Sequence, residues 1–182
     1  MNDSNQLAFQ YTLATGESGV ALATLQTTPT GTPFQQWAVA KQLAGGDALA
    51  TADPDKDGQV NLEEFAFDGD PKSGATAGKR RADFASDGGS SYFTLTVPVR
   101  AGAVFSGSPP VATVDGVTYT VLADDDMNGS DLSAIARGPV TAGLPALTGY
   151  TYQSFRLTTT AAQSPRAFIR IAVAEAPASG GL

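Results

Sequence analysis

The sequence predicts an α+β fold that is mostly β: an antiparallel β-sandwich preceded by a short helical motif. Three observations carry this. Residues 92–182 hold runs of alternating apolar and polar residues separated by Gly, Pro and Asp clusters. A helix-start signature stands at Thr32, Pro33 and Gln35. Just after that helix comes an acidic run, DPDKDGQVNLEE at 53–64, whose oxygen-bearing residues recur at regular spacing.

The elements follow in chain order. In LAFQYTL, residues 7–13, Leu7, Phe9, Tyr11 and Leu13 alternate onto one strand face. TGES supplies a turn and GVALATLQT a second strand, which makes a hairpin. Thr32 caps a helix PFQQWAVAKQLA that runs to Gly45-Gly46, and Asp47 is placed to cap a further short turn before the acidic run. Residues 71–91 are polar and small and read as a linker or long exposed loop. In YFTLTVPV, Phe93, Leu95, Val97 and Val99 share a face, with Pro98 pointing the other way as on an edge strand. VTYTVLA, YTYQSFRLT and AFIRIAVA complete an immunoglobulin-like set, with Ile169, Ile171 and Val173 inward. The organisation is therefore 1–32 N-terminal hairpin, 33–71 helix plus acidic loop, 72–91 linker, and 92–182 β-sandwich.

Composition narrows the function. Apolar residues make up 42% and charged residues 16%, which is a folding composition. A net charge of −7 with eleven scattered Lys and Arg disfavours nucleic acid. No apolar run of about 18 residues is present to span a bilayer. MNDSNQLAFQ lacks the basic start and apolar core of a signal peptide, so an exported protein would be represented here by its mature part or by an excised domain with a start Met. Cys and His are both absent. That removes disulfides, soft-metal ligands and the usual bases and nucleophiles, leaving catalysis only a carboxylate pair or a Ser–Lys pair. Nothing beyond the presence of both residue types supports Ser–Lys chemistry.

The acidic run fits a hard dication. Calcium takes six to eight oxygens, and carboxylates on alternate residues of a curled loop can converge on it. Asp53, Asp55, Asp57 and Asn61 stand at the first, third, fifth and ninth positions, and Glu64 at the twelfth, where a bidentate carboxylate closes the cage. Gly58 permits the sharp turn, Gln59 offers its carbonyl, and Val60 anchors the loop in the core. This is the EF-hand loop pattern, matched at each ligand position. A metal-free acidic turn is the alternative.

The flanks differ from those of calcium sensors, which pair two loops and open a Met-rich groove. Here the exit helix NLEEFAF is stopped by DGDP, and the chain has two Met. The short form looks more like the calcium segments of dockerins and thrombospondin type 3 repeats. More widely, a Trp-bearing helix followed by GGDALATADPDKDG, NLEEFAF and a β-domain closing on FIRIAV resembles C-terminal regions of large exported proteins of environmental Gram-negative bacteria. The likeness runs over most of 33–175 and departs at the inserted DDDMNG. It implies a non-catalytic, surface-associated module.

Weaker features keep two readings each. Asp68 and Asp70 would add outer-shell charge, or belong only to the helix stop. GKRR, residues 78–81, is a partner site or a solvated loop beside an acidic neighbour. Asp124, Asp126, Asn128 and Gly129 begin like a calcium loop, but the eighth and twelfth positions are Asp131 and Ile135, so a second ion site competes with a plain acidic hairpin loop. Phe34, Trp37, Phe65 and Phe67 read as core rather than a sugar platform; Tyr150 and Tyr152, two apart on one strand, could form one. The expectation is a calcium-stabilised, extracellular or cell-surface module without catalysis. It would serve as the C-terminal domain of a surface protein or as a subunit of a filament-like assembly. Its partners would be calcium and other copies of itself or cell-surface proteins. The alternative is a carbohydrate-binding module of an exported enzyme that takes a polysaccharide; a glycoside hydrolase would need two facing carboxylates.

Overall fold

The computed structural model describes residues 6–24, 30–75, 78–126, 131–164 and 166–177. It divides into two compact units, Met1–Thr30 and Gly31–Leu182.

The first unit holds the expected hairpin. Strand β1 (Gln6–Thr12) pairs antiparallel with β2 (Ser18–Thr24), with Phe9 opposite Ala21 and Tyr11 opposite Gly19. Leu13 N–H donates to Glu17 O at 2.7 Å to close the turn. Gly19 leaves room for the Tyr11 side chain. A Cβ there would lie 2.9 Å from the Tyr11 hydroxyl, so the tyrosine lies over bare backbone. Phe9, Tyr11, Val20 and Leu22 stay exposed.

The second unit begins with α1 (Pro33–Ala40), whose start is as the sequence dictates: Thr32 accepts from Gln35 N–H, and the Gln35 side chain accepts from Thr32 N–H. The helix ends a turn earlier than Gly45. Gln42 adopts a left-handed φ of 57°, and Leu43 N–H bonds to Ala38 O while Gln42 N–H bonds to Val39 O. This is a Schellman closure, driven by burial of Leu43 rather than by a glycine. Asp47 does not cap; it sits inside a 3₁₀ turn, Gly45–Ala48, that has no side-chain cap bond. Helix α2 (Asn61–Phe67) follows the acidic loop and is stopped by Asp68 at φ 57° and Gly69.

The remainder is antiparallel β. Strands β3 (Arg81–Asp87), β4 (Ser90–Arg100), β8 (Tyr150–Leu157) and β7 (Ala134–Arg137) form one sheet in the order β3-β4-β8-β7. Strands β5 (Val111–Val114), β6 (Val117–Asp124) and β9 (Phe168–Glu175) form another in the order β5-β6-β9. Two expectations need correction. The stretch 72–91 is not all linker, because β3 and the start of β4 lie within it. β4 is not an edge strand, since it pairs with both β3 and β8. The β3 ladder stops at Thr96, so Pro98 has a partner strand on one side only. Its missing N–H is tolerated at that local edge.

One hydrophobic core joins the sheets to α2. Val97, Val99, Val117, Tyr119, Val121, Phe155 and Leu157 are buried with Phe65, Ala66 and Phe67, and Ile169, Ile171 and Val173 pack against them half-buried. Helix α2 packs on β4 and β9. Two strand tyrosines reach carbonyls in its last turn, which a helix end leaves without intrahelical partners: Tyr119 OH donates to Ala66 O and Tyr150 OH to Phe65 O, both at 2.8 Å. Arg100 lies over the rings of Phe65 and Tyr150 and pairs with Asp115. Phe34 and Trp37 close the cluster edge-on to Phe65, as core rather than as a platform. No helix among the described residues is long and apolar enough to cross a membrane.

Candidate metal centre

The loop between the 3₁₀ turn and α2 is closed by its own flanks. Asn61 N–H donates to Ala52 O at 2.8 Å and Leu62 N–H to Ala50 O at 3.0 Å, which satisfies two orphan donors of α2 and clamps the loop ends together. Asn61 Nδ2 adds bonds to Asp47 O and Leu49 O at 2.7 and 2.8 Å. Between these ends, acidic side chains fold inward onto loop amides. Asp53 Oδ2 accepts from Gly58 N–H at 3.0 Å, Asp55 Oδ1 from Asp57 N–H at 3.3 Å and Asp57 Oδ1 from Gln59 N–H at 2.7 Å. Gly58 turns at φ 92°, a conformation that disfavours any side chain.

The result is a convergence of oxygens. Asp53, Asp55 and Asp57 each bring a carboxylate oxygen within 4.8 Å of the others. Beside them on α2, Asn61 and Glu64 are buried, at 0% and 1% exposure. Asp53 Oδ1, Asp55 Oδ2, Asn61 Oδ1 and Glu64 Oε2 are all buried and meet no hydrogen-bond donor from the described protein. Uncompensated burial of such acceptors costs free energy, more so for carboxylates. Glu64 registers the strain: desolvation by burial, then repulsion from Asp55, Asp57 and Asp70, raises its pKa to about 7 despite the opposing charge of Lys41. A hard dication among these oxygens would relieve both penalties at once. Glu64 stands outside the tight three-aspartate group, and Gln59 uses its side chain for Asp57 and Arg80.

Several contributors were not legible in the sequence as parts of this site. Gly74 lies against Asp57, where a Cβ would be 2.8 Å from the Asp57 Cβ, and Gly69 lies against Glu64, where a Cβ would be 2.9 Å from the Glu64 Cβ. The basic run is bound to the motif instead of being solvated: Lys79 pairs with Asp68, and Arg80 donates to Gln59 Oε1 at 2.7 Å and stacks over Phe67. Asp68 and Asp70 are committed to Lys79 and Lys41. A cavity of about 500 Å³ opens beside the loop and is bordered by Asp57, Gln59 and Glu64 together with Lys41, Lys79 and Arg80.

The second acidic stretch is different. Asp124, Asp125 and Asp131 converge, and repulsion from Asp131 raises the Asp125 pKa, but Asn128 and Gly129 lie outside the described residues. Tyr150 and Tyr152 border an open, uncharged groove of about 420 Å³ with Pro139, Leu144, Pro145 and Leu147. Both hydroxyls are occupied: Tyr150 by Phe65 O and Tyr152 by Pro145 O. Comparison of the chain with family models, curated proteins and solved structures finds no match.

Proposed function

We propose that this chain is a calcium-stabilised, non-catalytic structural and interaction module of an exported protein, working outside the cell. The observation that carries the reading is the set of buried acceptors without donors around three converged aspartates. Calcium would be held by Asp53, Asp55, Asp57, the Gln59 carbonyl and Glu64, with Asn61 contributing its free oxygen directly or through water, in the manner of a single EF-hand loop. The two sheets then form a sandwich to which α2 is locked by Tyr119 and Tyr150, so the ion's stabilisation passes into the β core.

Extracellular calcium sites of this type bind at roughly 10⁻⁴ to 10⁻³ M, matched to calcium outside cells. With His and Cys absent and Glu64 given to the ion, the remaining acids lack the environment of a catalytic pair. The module would act through its surfaces, as a domain of a surface protein or as an assembly subunit whose N-terminal strand joins a neighbour's sheet. Calorimetric titration of the chelator-treated protein with calcium tests the reading. One site, lost in Glu64→Gln, is expected; no heat together with an unchanged melting curve would sink it.

A second reading has the uncharged tyrosine groove in its favour: a carbohydrate-binding module that takes a neutral polysaccharide. Affinity electrophoresis against neutral glucans and xylans, with Tyr152→Ala as control, decides between them.

A further inference from the structure

We infer that the basic run Lys79-Arg80-Arg81 is a calcium-masked cleavage site: ion occupancy reaches it through Gln59, and loss of the ion opens it to proteases that cut after Lys or Arg. This rests on the calcium reading above and names what that site regulates. Three cations in succession repel one another unless acceptors hold them. Each is held by a different part of the fold. Lys79 Nζ donates to Asp68 O at 2.9 Å and pairs with the Asp68 carboxylate at the end of α2. Arg80 donates to Gln59 Oε1 at 2.7 Å and lies 4.8 Å over the Phe67 ring. Arg81 donates to Ala142 O at 2.8 Å and pairs with Asp83.

Gln59 is the relay. Its backbone N–H donates to Asp57 Oδ1 at 2.7 Å and its Nε2 to Asp57 Oδ2 at 3.1 Å, while its Oε1 accepts from Arg80. One residue therefore joins both oxygens of a carboxylate in the acidic cluster to the basic run. The returning chain meets Asp57 a second time at Gly74, which packs on its Cβ. A dication fixes Asp57, and Gln59 with it. Without one, Asp53, Asp55 and Asp57 repel within 4.8 Å of one another, and Asp57 is the exposed member that can swing away. That movement takes the acceptor from Arg80.

The chain beyond Arg80 is weakly held. β3 begins at Arg81 and is an edge strand, paired with β4 alone. None of its residues is fully buried, and Phe84 is 60% exposed. Few buried contacts mark a segment that opens locally, well short of global unfolding. Gly78 and Arg80 are exposed, so a protease reaches the run; what protects it is backbone held in place. Cleavage adds one water across a peptide bond, leaving a carboxylate and an amine, and its rate follows the population of the opened form.

Brief trypsin digestion of the full chain, in calcium and in chelator, tests this when mass spectrometry assigns each cut. Rates are divided by those of a free peptide of residues 78–87 in the same buffers, which removes any effect of calcium on the protease. Calcium should slow cutting after Lys79, Arg80 and Arg81 by about tenfold or more, the worth of one hydrogen bond to a charged group. Arg156, on a strand paired on both sides, should stay uncut while the run is cut in chelator. Arg80→Met keeps the stem over Phe67 and drops the bond to Gln59. It should be cut after Lys79 and Arg81 at rates that no longer depend on calcium, while calorimetry still shows the calcium heat. Hydrogen exchange on the wild type needs no variant to fold: in chelator the β3 amides should exchange well before those of β8, and calcium should slow them. A calcium heat with no protection of the run overturns this proposal and leaves the metal reading standing. Protection that survives Arg80→Met overturns the relay. Cutting at Arg156 as fast as at the run, or β3 and β8 exchanging together, overturns a local opening. Absence of any calcium heat overturns the metal reading, and this one with it.

Discussion

Replacing Glu64 with Gln should change the sign of its effect with calcium. Glu64 is 1% exposed, and burial with three acidic neighbours raises its pKa from 4.5 to about 7. Above pH 7 the ion-free protein must carry that carboxylate charged, a cost of roughly 3 kcal/mol at 1.36 kcal/mol per pKa unit. Gln keeps the shape and removes the charge. In chelator at pH 8, Glu64→Gln should therefore melt no lower than wild type, and higher if the amide finds a partner. In calcium the order reverses. At a hundredfold excess over the dissociation constant the ion adds about 2.7 kcal/mol to the wild type. At about 2–4 °C per kcal/mol for a chain of this size, that is a rise of about 5–10 °C, which the variant should largely lose. Differential scanning calorimetry of both proteins, with calcium and with chelator, gives four melting temperatures. Equal destabilisation by the substitution in both conditions would refute the placement of the ion against Glu64. The pH dependence follows from the same group. Its folded pKa lies above its unfolded one, so the ion-free fold binds the proton more tightly. The contribution of Glu64 to stability in chelator should be fully present below about pH 4.5 and be lost as pH rises through about 7, by linkage, so the difference between wild type and Glu64→Gln reads it free of the other carboxylates. Calcium needs the ionised form, so the calcium-induced rise should grow over that same interval.

Other outcomes follow from particular contacts. Asp68→Asn should weaken calcium binding in calorimetry far less than Glu64→Gln, because Asp68 is paired with Lys79; so should Asp126→Asn. Gly74→Ala drives a Cβ to 2.8 Å from that of Asp57 and should lower calcium affinity through the loop it displaces, with the larger effect in calorimetry than in the chelator melt. Tyr119→Phe strands the Ala66 carbonyl in the core and should cost about 1–3 kcal/mol in denaturant unfolding with or without calcium. Deleting residues 1–14 should leave the calcium-dependent melting transition of 31–182 in place, since that segment belongs to the other unit; loss of the transition would place the hairpin in the main core.

The local chemistry of the loop was legible because its rules are short-range. The alternation of Asp53, Asp55 and Asp57, the turn at Gly58 and the Thr32–Gln35 box each depend on residues within a turn or two. The long strands β4, β6, β8 and β9 were equally plain, since period-2 alternation onto Val97, Val99, Val117, Tyr119 and Val121 needs no partner to be recognised. β3, β5 and β7 were not. Arg81–Asp87 carries Ala, Ser and Asp, poor strand formers, and takes strand form by pairing with β4; β5 and β7 are four residues each. Lys79, Arg80 and Gly74 read as loop residues in the sequence, and Gly69 as part of a helix stop; their contacts with the acidic-loop motif arise only when the chain folds back on itself. By itself the sequence determined that Asp53, Asp55 and Asp57 stand at alternate positions of one short loop. The tertiary structure decided that the acceptors behind them are buried without donors, and that Tyr119 and Tyr150 tie α2 to the sheets. Burial and non-local hydrogen bonds depend on residues brought together from 12 to 85 positions apart, which no local pattern encodes.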